Sequence, residues 1–264
     1  MARTFWKGTI NFGMVSIPVK MYVATTSHTI NFHLLHKKCL TRPKQVLRCE
    51  TDDEYFEKKD TVRGYEYTKG QYVVLTDKDF EKVPIRSAHI IDIQRFVKDD
   101  EIYPAYFNDV HYLEPEELAA KPYCLLRDAL RESGRIGIAK VTFQRREHLC
   151  CVRPYEQLLA LHTILFQNEL LSPSEINIKE MEVRDEEIKV AKSLIDIMTG
   201  KFEPQQYKDE YRNALEKIIK AKIQGVEIKA LPEPKPTEIP DLMSALRASI
   251  QAASKEPVGA RKRK

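Results

Sequence analysis

Four side chains near the start of the chain could together ligate a metal ion. They are His33, His36, Cys39 and Cys49, which offer the imidazole and thiolate donors that zinc prefers. Their spacing is irregular, and on an extended strand His33 and His36 would point to opposite faces because they are three positions apart. We therefore expect ordinary core or surface side chains here, and we predict no metal and no cofactor.

The usual sequence motifs of catalysis are also missing. The chain contains 9 Gly and no phosphate-binding glycine loop, and it has no GxSxG, HExxH or CxxC pattern. This favours a binding protein over an enzyme. A metal-dependent hydrolase built on the four residues above remains one alternative, and a general protein scaffold is another.

The distribution of charge along the chain says more than its total. The 264 residues include 43 Lys and Arg against 39 Asp and Glu, a formal net charge of only +4. Residues 1–50 hold eight basic residues and one acidic residue, whereas residues 51–130 hold 11 basic and 18 acidic residues. A basic block can form a patch for phosphate groups, or it can pair with an acidic block in the same molecule. The sequence leaves both possibilities open.

Composition indicates a protein of the cytoplasm. Hydrophobic residues make up 42% of the chain and charged residues 31%, and no apolar run approaches the roughly 20 residues that cross a bilayer. The first residues do not have the plan of a signal peptide. Five cysteines without framework spacing indicate reduced thiols.

Alternating apolar residues predict that much of the chain forms β-strands. The pattern is clearest over residues 6–12 and 15–23. Further strands are predicted at residues 30–34, 71–75, 88–97, 102–113 and 135–145, with short helices at 76–83 and from 115 towards 131. Residues 158–166 are apolar without a clear period and fit either a strand or a buried helix. Many strands and few helices predict a mainly β protein with some α, built on an antiparallel barrel or sandwich.

The last third of the chain changes to a helical period. Two helices are predicted between residues 185 and 225, followed by a Pro-rich linker at 230–240. Beyond the linker, Leu242, Met243, Leu246 and Ile250 form an apolar stripe on a short helix, and residues 261–264 form a basic tail. A helix this short is only marginally stable when it is isolated in water. We therefore expect it to dock on a partner or on its own chain. The predicted organisation is a core at 1–229, the linker at 230–240 and a terminal helix with tail at 241–264.

Several motifs occur in the order seen in one known family. In chain order they are WKGTINFGMVSIPVKMY, INFHLLHKKC, GYEYTKGQYVVLTD, AKVTFQRREHLCCVRP, FEPQQYKDEY and PDLMSALRASI. From about Arg3 to Ile250, the chain resembles bacterial Ku proteins. It departs from many of them after Cys49, where a CxxCG pattern is replaced by CETDDEYF. That departure weakens the metal hypothesis further.

The resemblance implies a function in non-homologous end joining. It implies a Ku-type antiparallel β-barrel core with a bridge over DNA and a C-terminal helical arm. Two identical subunits would form a ring that binds double-stranded DNA ends without reading sequence and recruits the ATP-dependent ligase D. The stripe of Leu242, Met243, Leu246 and Ile250 would contact the ligase. The protein would be cytoplasmic and associated with the nucleoid, without a membrane partner.

The same motifs suggest which cations contact DNA. They are Lys20 in the second strand, five residues of the presumed bridge and three on a later strand. In full, the predicted DNA contacts are Lys20, Lys37, Lys38, Arg42, Lys44, Arg48, Lys140, Arg145 and Arg146.

Overall fold

The computed structural model describes residues 4–83, 89–226 and 242–255. The chain divides into two compact units, Met1–Glu175 and Ile176–Lys264. In chain order the strands are β1 (Thr4–Phe12), β2 (Val15–Val23), β3 (Leu47–Arg48), β4 (Tyr55–Phe56), β5 (Arg63–Thr68), β6 (Gln71–Leu75), β7 (Ile90–Lys98), β8 (Phe107–Pro115), β9 (Arg135–Phe143), β10 (Arg146–Tyr155) and β11 (Leu158–Ile164). The helices are α1 (Asp77–Glu81), α2 (Ala120–Ser133), α3 (Asp185–Met198), α4 (Glu210–Ile223) and α5 (Leu242–Lys255).

Seven strands of the first unit close into a barrel. Their order around it is β1, β2, β8, β11, β10, β9 and β7, and β7 then pairs with β1. Every neighbouring pair is antiparallel except β1 with β7, which are parallel. The structure thus confirms the predicted mainly β fold and barrel core, and it shows one parallel seam.

The barrel is filled by the apolar residues of the period-two pattern. On β2, for example, Ile17, Val19 and Met21 are fully buried and alternate with more exposed neighbours. Helix α2 packs on β2, β9 and β10. Its Tyr123 hydroxyl donates to the Leu113 carbonyl at 2.5 Å and accepts from the Leu159 amide at 2.6 Å, so a buried polar group is fully satisfied.

Several predicted boundaries shift. The predicted strand at 102–113 begins only at Phe107, because short 3-10 turns occupy 99–101 and 104–106. The helix predicted from residue 115 begins at Ala120, after another such turn. The ambiguous stretch 158–166 is strand β11.

Residues 24–83 form a segment inserted between two barrel strands, which we call the insertion. It contains the hairpins β3–β4 and β5–β6 and helix α1. None of its residues is buried, and most are exposed. The prediction of a strand at 30–34 is wrong, since those residues form no strand pairing. Alternation alone was insufficient there, because a strand also needs a neighbour to accept its backbone hydrogen bonds.

Within its described residues, 176–226 and 242–255, the second unit contains three α-helices, of which α5 packs against α3. The half-buried apolar face of α3 comprises Val190, Ala191, Leu194 and Ile197. No helix in the described ranges combines the length and the apolar character needed to span a membrane. The predicted linker at 230–240 and the basic tail at 261–264 lie outside the described residues.

Candidate nucleic-acid interface

The nine predicted DNA contacts fall into two groups according to their ion pairs. Five of them lie beside a carboxylate, namely Lys20, Arg48, Lys140, Arg145 and Arg146. The other four have no ion pair within the part of the chain that the structure describes and are exposed; they are Lys37, Lys38, Arg42 and Lys44. The two groups therefore differ in how readily they could meet a phosphate.

Two cations of the paired group lie in the middle of barrel strands. Lys20 Nζ on β2 is 4.0 Å from Glu114 Oε2 on β8, and the Tyr22 hydroxyl donates to the same carboxylate. Lys140 Nζ on β9 is 3.0 Å from Glu147 Oε2 on β10. Both lysines are half-buried, so their positions are fixed by the strands that carry them.

Two more of the paired cations are Arg145, in the turn between β9 and β10, and Arg146, the first residue of β10. Arg146 bonds to Glu169, and this pairing, after a backbone hydrogen bond from Phe166, lowers the pKa of the Glu169 carboxyl. Arg145 lies 3.5 Å from Asp77 of α1. The fifth member, Arg48, pairs with Asp53 across the β3–β4 hairpin. In each case the partner is distant in sequence or lies across a turn.

The unpaired cations share one exposed stretch, residues 36–44, which we call the basic loop. A tight turn shapes it: the His36 amide donates to the Thr41 carbonyl at 2.9 Å, and the Leu40 amide donates to the His36 carbonyl at 2.7 Å. Lys37 and Lys38 lie within that turn, and both are exposed. The loop thus concentrates positive charge on a surface that no carboxylate of the described residues neutralises.

The candidate metal ligands are not brought together. His36 Nδ1 lies 3.0 Å from Cys39 Sγ, whereas the Cys49 thiol donates to Asp52 at 3.4 Å. Hydrogen bonds from Thr41 and then His36 lower the pKa of the Cys39 thiol to about 7. Among the described residues, no group of three or more His, Cys, Asp or Glu side chains is placed to hold a metal ion.

The barrel histidines add no positive charge to the surface. Burial lowers the pKa of His111, His148 and His162 below that of a free imidazole, which favours their neutral form. His148, in the motif beside Arg145 and Arg146, stacks on Phe143 with ring centroids 4.1 Å apart. Its role is in packing.

One cation of this surface is absent from the predicted set. Lys7 on β1 is exposed and lies directly opposite Lys20 in the β1–β2 pairing. Like charges in this arrangement repel each other; Glu114 lies on the far side of Lys20, and an anion placed between Lys7 and Lys20 would relieve the repulsion further. The sequence held the necessary signal, because a two-residue turn at Gly13 and Met14 fixes which residues of the hairpin face each other.

A family model described as the Ku70/Ku80 beta-barrel domain matches residues 11–190, more than half of the chain. This chain belongs to the Ku family. The match begins within β1, includes the insertion and the rest of the barrel, and ends inside α3. It therefore contains all nine predicted DNA contacts.

Curated Ku relatives align with nearly the whole chain. The non-homologous end joining protein Ku of Symbiobacterium thermophilum is 42% identical over 255 residues, which cover 95% of this chain and 63% of that protein. The protein of the same name from Solibacter usitatus is 38% identical over 265 residues, 99% of both chains. That from Koribacter versatilis is 37% identical over 262 residues, 99% of this chain and 90% of that protein. The chain thus spans less than two thirds of the first relative and almost all of the second.

Among solved structures, the SPOC domain of human PHD-finger protein 3 aligns with 61% of this chain at 14% sequence identity. The TM-score is 0.29, too low to establish a common fold.

Proposed function

We propose that this Ku-family chain binds double-stranded DNA ends without reading their sequence. Two copies would form a ring that protects and bridges breaks and recruits the ATP-dependent ligase D for non-homologous end joining. The relatives described above are named for that process. The observation that carries the proposal is the basic loop, whose four cations are exposed and have no carboxylate partner in the described part of the chain.

Phosphate is the ligand that suits such a loop. Lys and Arg that neutralise backbone phosphates release counterions, and this supplies affinity without any base contact. The paired cations Lys20, Lys140 and Arg146 could exchange a carboxylate for a phosphate at little cost, because their ion pairs are in contact with solvent and such pairs contribute only about 0–1 kcal/mol. The Lys7–Lys20 pair offers a further point of contact. We assign the chain a binding function and no catalysed reaction.

The apolar side chains of the insertion support the proposed homodimer. Phe32 is 70% exposed and Leu34 is 79% exposed, and on β5 and β6 the residues Tyr65, Val73 and Val74 are also exposed. A two-stranded hairpin is marginal when it is isolated in water, and exposed apolar groups of this extent indicate an interface. A second copy of the same segment is the partner that we propose, because identical chains commonly assemble about a twofold axis.

Sedimentation of the purified protein tests the homodimer. We expect a mass close to twice the 30.7 kDa of one chain. Val74→Asp should shift the protein towards the monomer, because it places a charge among the exposed apolar groups, whereas Gln71→Asp on the same strand should not. A wild-type protein that sediments as a single chain at micromolar concentration would contradict this part of the proposal.

The preference for ends is tested with one DNA in two forms. We expect linear duplex to be retained by the immobilised protein and a covalently closed circle of the same sequence to be washed away, since a closed ring has no route onto an uninterrupted duplex. Cutting the circle once should restore retention without changing its sequence or length. Equal retention of the intact circle and the cut DNA would show that binding does not need an end.

The proposed ligase contact involves a helix that already has a partner. Of the four stripe residues on α5, Leu242 is 60% exposed, while Met243, Leu246 and Ile250 are half-buried. Helix α5 packs against α3 of the same unit. A ligase that used the whole stripe would therefore compete with α3 for the same apolar side chains.

Truncation after Pro240 separates end binding from ligase recruitment. We expect retention on linear DNA to be unchanged and stimulation of end joining by ligase D to be lost. Leu246→Ala should weaken stimulation, whereas Leu194→Ala, which trims the α3 face and leaves α5 intact, should strengthen it. If the truncated protein stimulates ligation as well as the full chain, α5 is not the ligase contact.

A further inference from the structure

The insertion touches the barrel through an aromatic ring held between two guanidinium groups. Phe80 of α1 has the Arg63 Cζ atom 5.3 Å from its ring centroid and the Arg145 Cζ atom 5.8 Å from it. Both distances lie within the range of a cation–π contact. Arg63 belongs to β5 of the insertion, whereas Arg145 belongs to the β9–β10 turn of the barrel. The ring thus joins the two parts.

A carboxylate completes this contact. Asp77, three residues before Phe80 on α1, accepts a hydrogen bond from Arg63 Nη1 at 3.0 Å and lies 3.5 Å from Arg145 Nη2. We call the set Arg63, Asp77, Phe80 and Arg145 the clasp. Both of its cations interact with the same carboxylate, Asp77, and with the same ring, Phe80. The positive charge of Arg145 therefore already has partners within the protein.

The barrel end of the clasp is held by backbone geometry. Gln144 and Arg145 have φ angles of 53° and 63°, the left-handed values of a two-residue hairpin turn between paired residues Phe143 and Arg146. The backbone position of Arg145 is therefore fixed by the turn. On the other side, Phe80 is one of seven half-buried residues in an insertion that has no buried residue. Few other side chains of the insertion could anchor it.

We propose that Arg145 is a positioning residue, which holds the insertion against the barrel so that the basic loop meets the DNA backbone. This differs from the direct phosphate contact that its sequence motif suggests. The inference rests on the proposed function, because it concerns how the same DNA-binding surface is arranged. It assigns Phe80, an uncharged residue, the same role in DNA binding as Arg145.

The dependence of DNA affinity on salt separates the two roles. A lost phosphate contact lowers the slope of log affinity against log salt by about 0.9, whereas a lost positioning contact weakens binding without changing the slope. We expect Arg145→Gln and Phe80→Ala each to reduce affinity about two- to fivefold, the factor that corresponds to one exposed cation–π contact. Arg145→Lys keeps the charge but loses the planar guanidinium that contacts the Phe80 ring and Asp77 together, so we expect its affinity to fall between those of Arg145→Gln and the wild type, with an unchanged slope.

Amide hydrogen exchange of the free protein provides a readout without DNA. Exchange across residues 63–81 should rise about two- to fivefold in Arg145→Gln and in Phe80→Ala. It should stay unchanged in Lys78→Gln, which removes an exposed charge from the same helix. A lowered salt slope in Arg145→Gln, with wild-type behaviour in Phe80→Ala and in Arg145→Lys, would overturn the inference. Failure of the wild-type protein to retain linear DNA would instead contradict the proposed function.

Discussion

Replacing Lys37, Lys38, Arg42 and Lys44 together by Gln should remove a large part of the salt dependence of DNA binding. Each phosphate contact contributes about 0.9 to the slope of log affinity against log salt, so the four cations of one subunit account for about 3.6. At 0.1 M salt a slope change of this size corresponds to a fall in affinity for a linear duplex on the order of 1,000- to 10,000-fold. The measurement is a titration of labelled duplex at several salt concentrations.

The fold should survive this change, because the basic loop is exposed and contributes nothing to the barrel core. The matched control removes four exposed lysines from α3 and α4, namely Lys189, Lys192, Lys217 and Lys220. It alters the net charge equally and should leave most of the slope in place. Equal losses in the two variants would mean that overall charge, and not the basic loop, drives binding.

Gly8→Ala should strongly destabilise the barrel. A Cβ atom at this position of β1 would lie 2.2 Å from the His89 carbonyl oxygen and 2.3 Å from Trp6 Cη2. Neither neighbour can move freely, since the His89 carbonyl accepts from the Thr9 amide at 2.9 Å and the Trp6 indole donates to the Thr142 carbonyl at 3.2 Å. We expect a loss of roughly 3 kcal/mol or more in the free energy of unfolding, and a Tm lower by roughly 6–12 °C.

Gly137→Ala on β9 is the control for this substitution. Its Cβ would meet side-chain atoms only, the nearest being Ile93 Cγ2 at 3.2 Å, which can adjust. The expected loss in the free energy of unfolding is about 1 kcal/mol. Thermal unfolding followed by circular dichroism would compare the two proteins. Equal Tm values would show that the parallel seam between β1 and β7 is not the constrained part of the barrel.

The barrel was predictable because apolar and polar residues alternate along its strands, and this alternation can be seen within each strand alone. Ile17, Val19 and Met21 alternate with more exposed residues, and the structure buries them as the period requires. Residues 30–34 follow the same rule and fail, since no neighbouring strand pairs with them in the described chain. Pairing depends on residues far away in sequence, and alternation carries no information about them.

The interface was less predictable for a related reason. Sequence motifs pointed to Arg145, but its partners Asp77 and Phe80 come from another part of the chain. The basic loop has no such distant partners in the described residues, and the local charge count describes it well. Lys7 could have been found from the hairpin register alone.

The parallel seam also determines how the insertion is hinged. The insertion leaves the barrel after Val23, beside the first residues of β1, and the chain re-enters at Ile90, opposite Thr9 on the other side of β1. These two attachment points are separated by two strand spacings across the sheet and by about five residues along β1, which places them roughly 15–20 Å apart. A segment fixed only at two separated points can rotate about the line that joins them, and the clasp is a third attachment that opposes this rotation. Without the clasp, rotation about this line would move the four cations of the basic loop together, towards or away from the barrel.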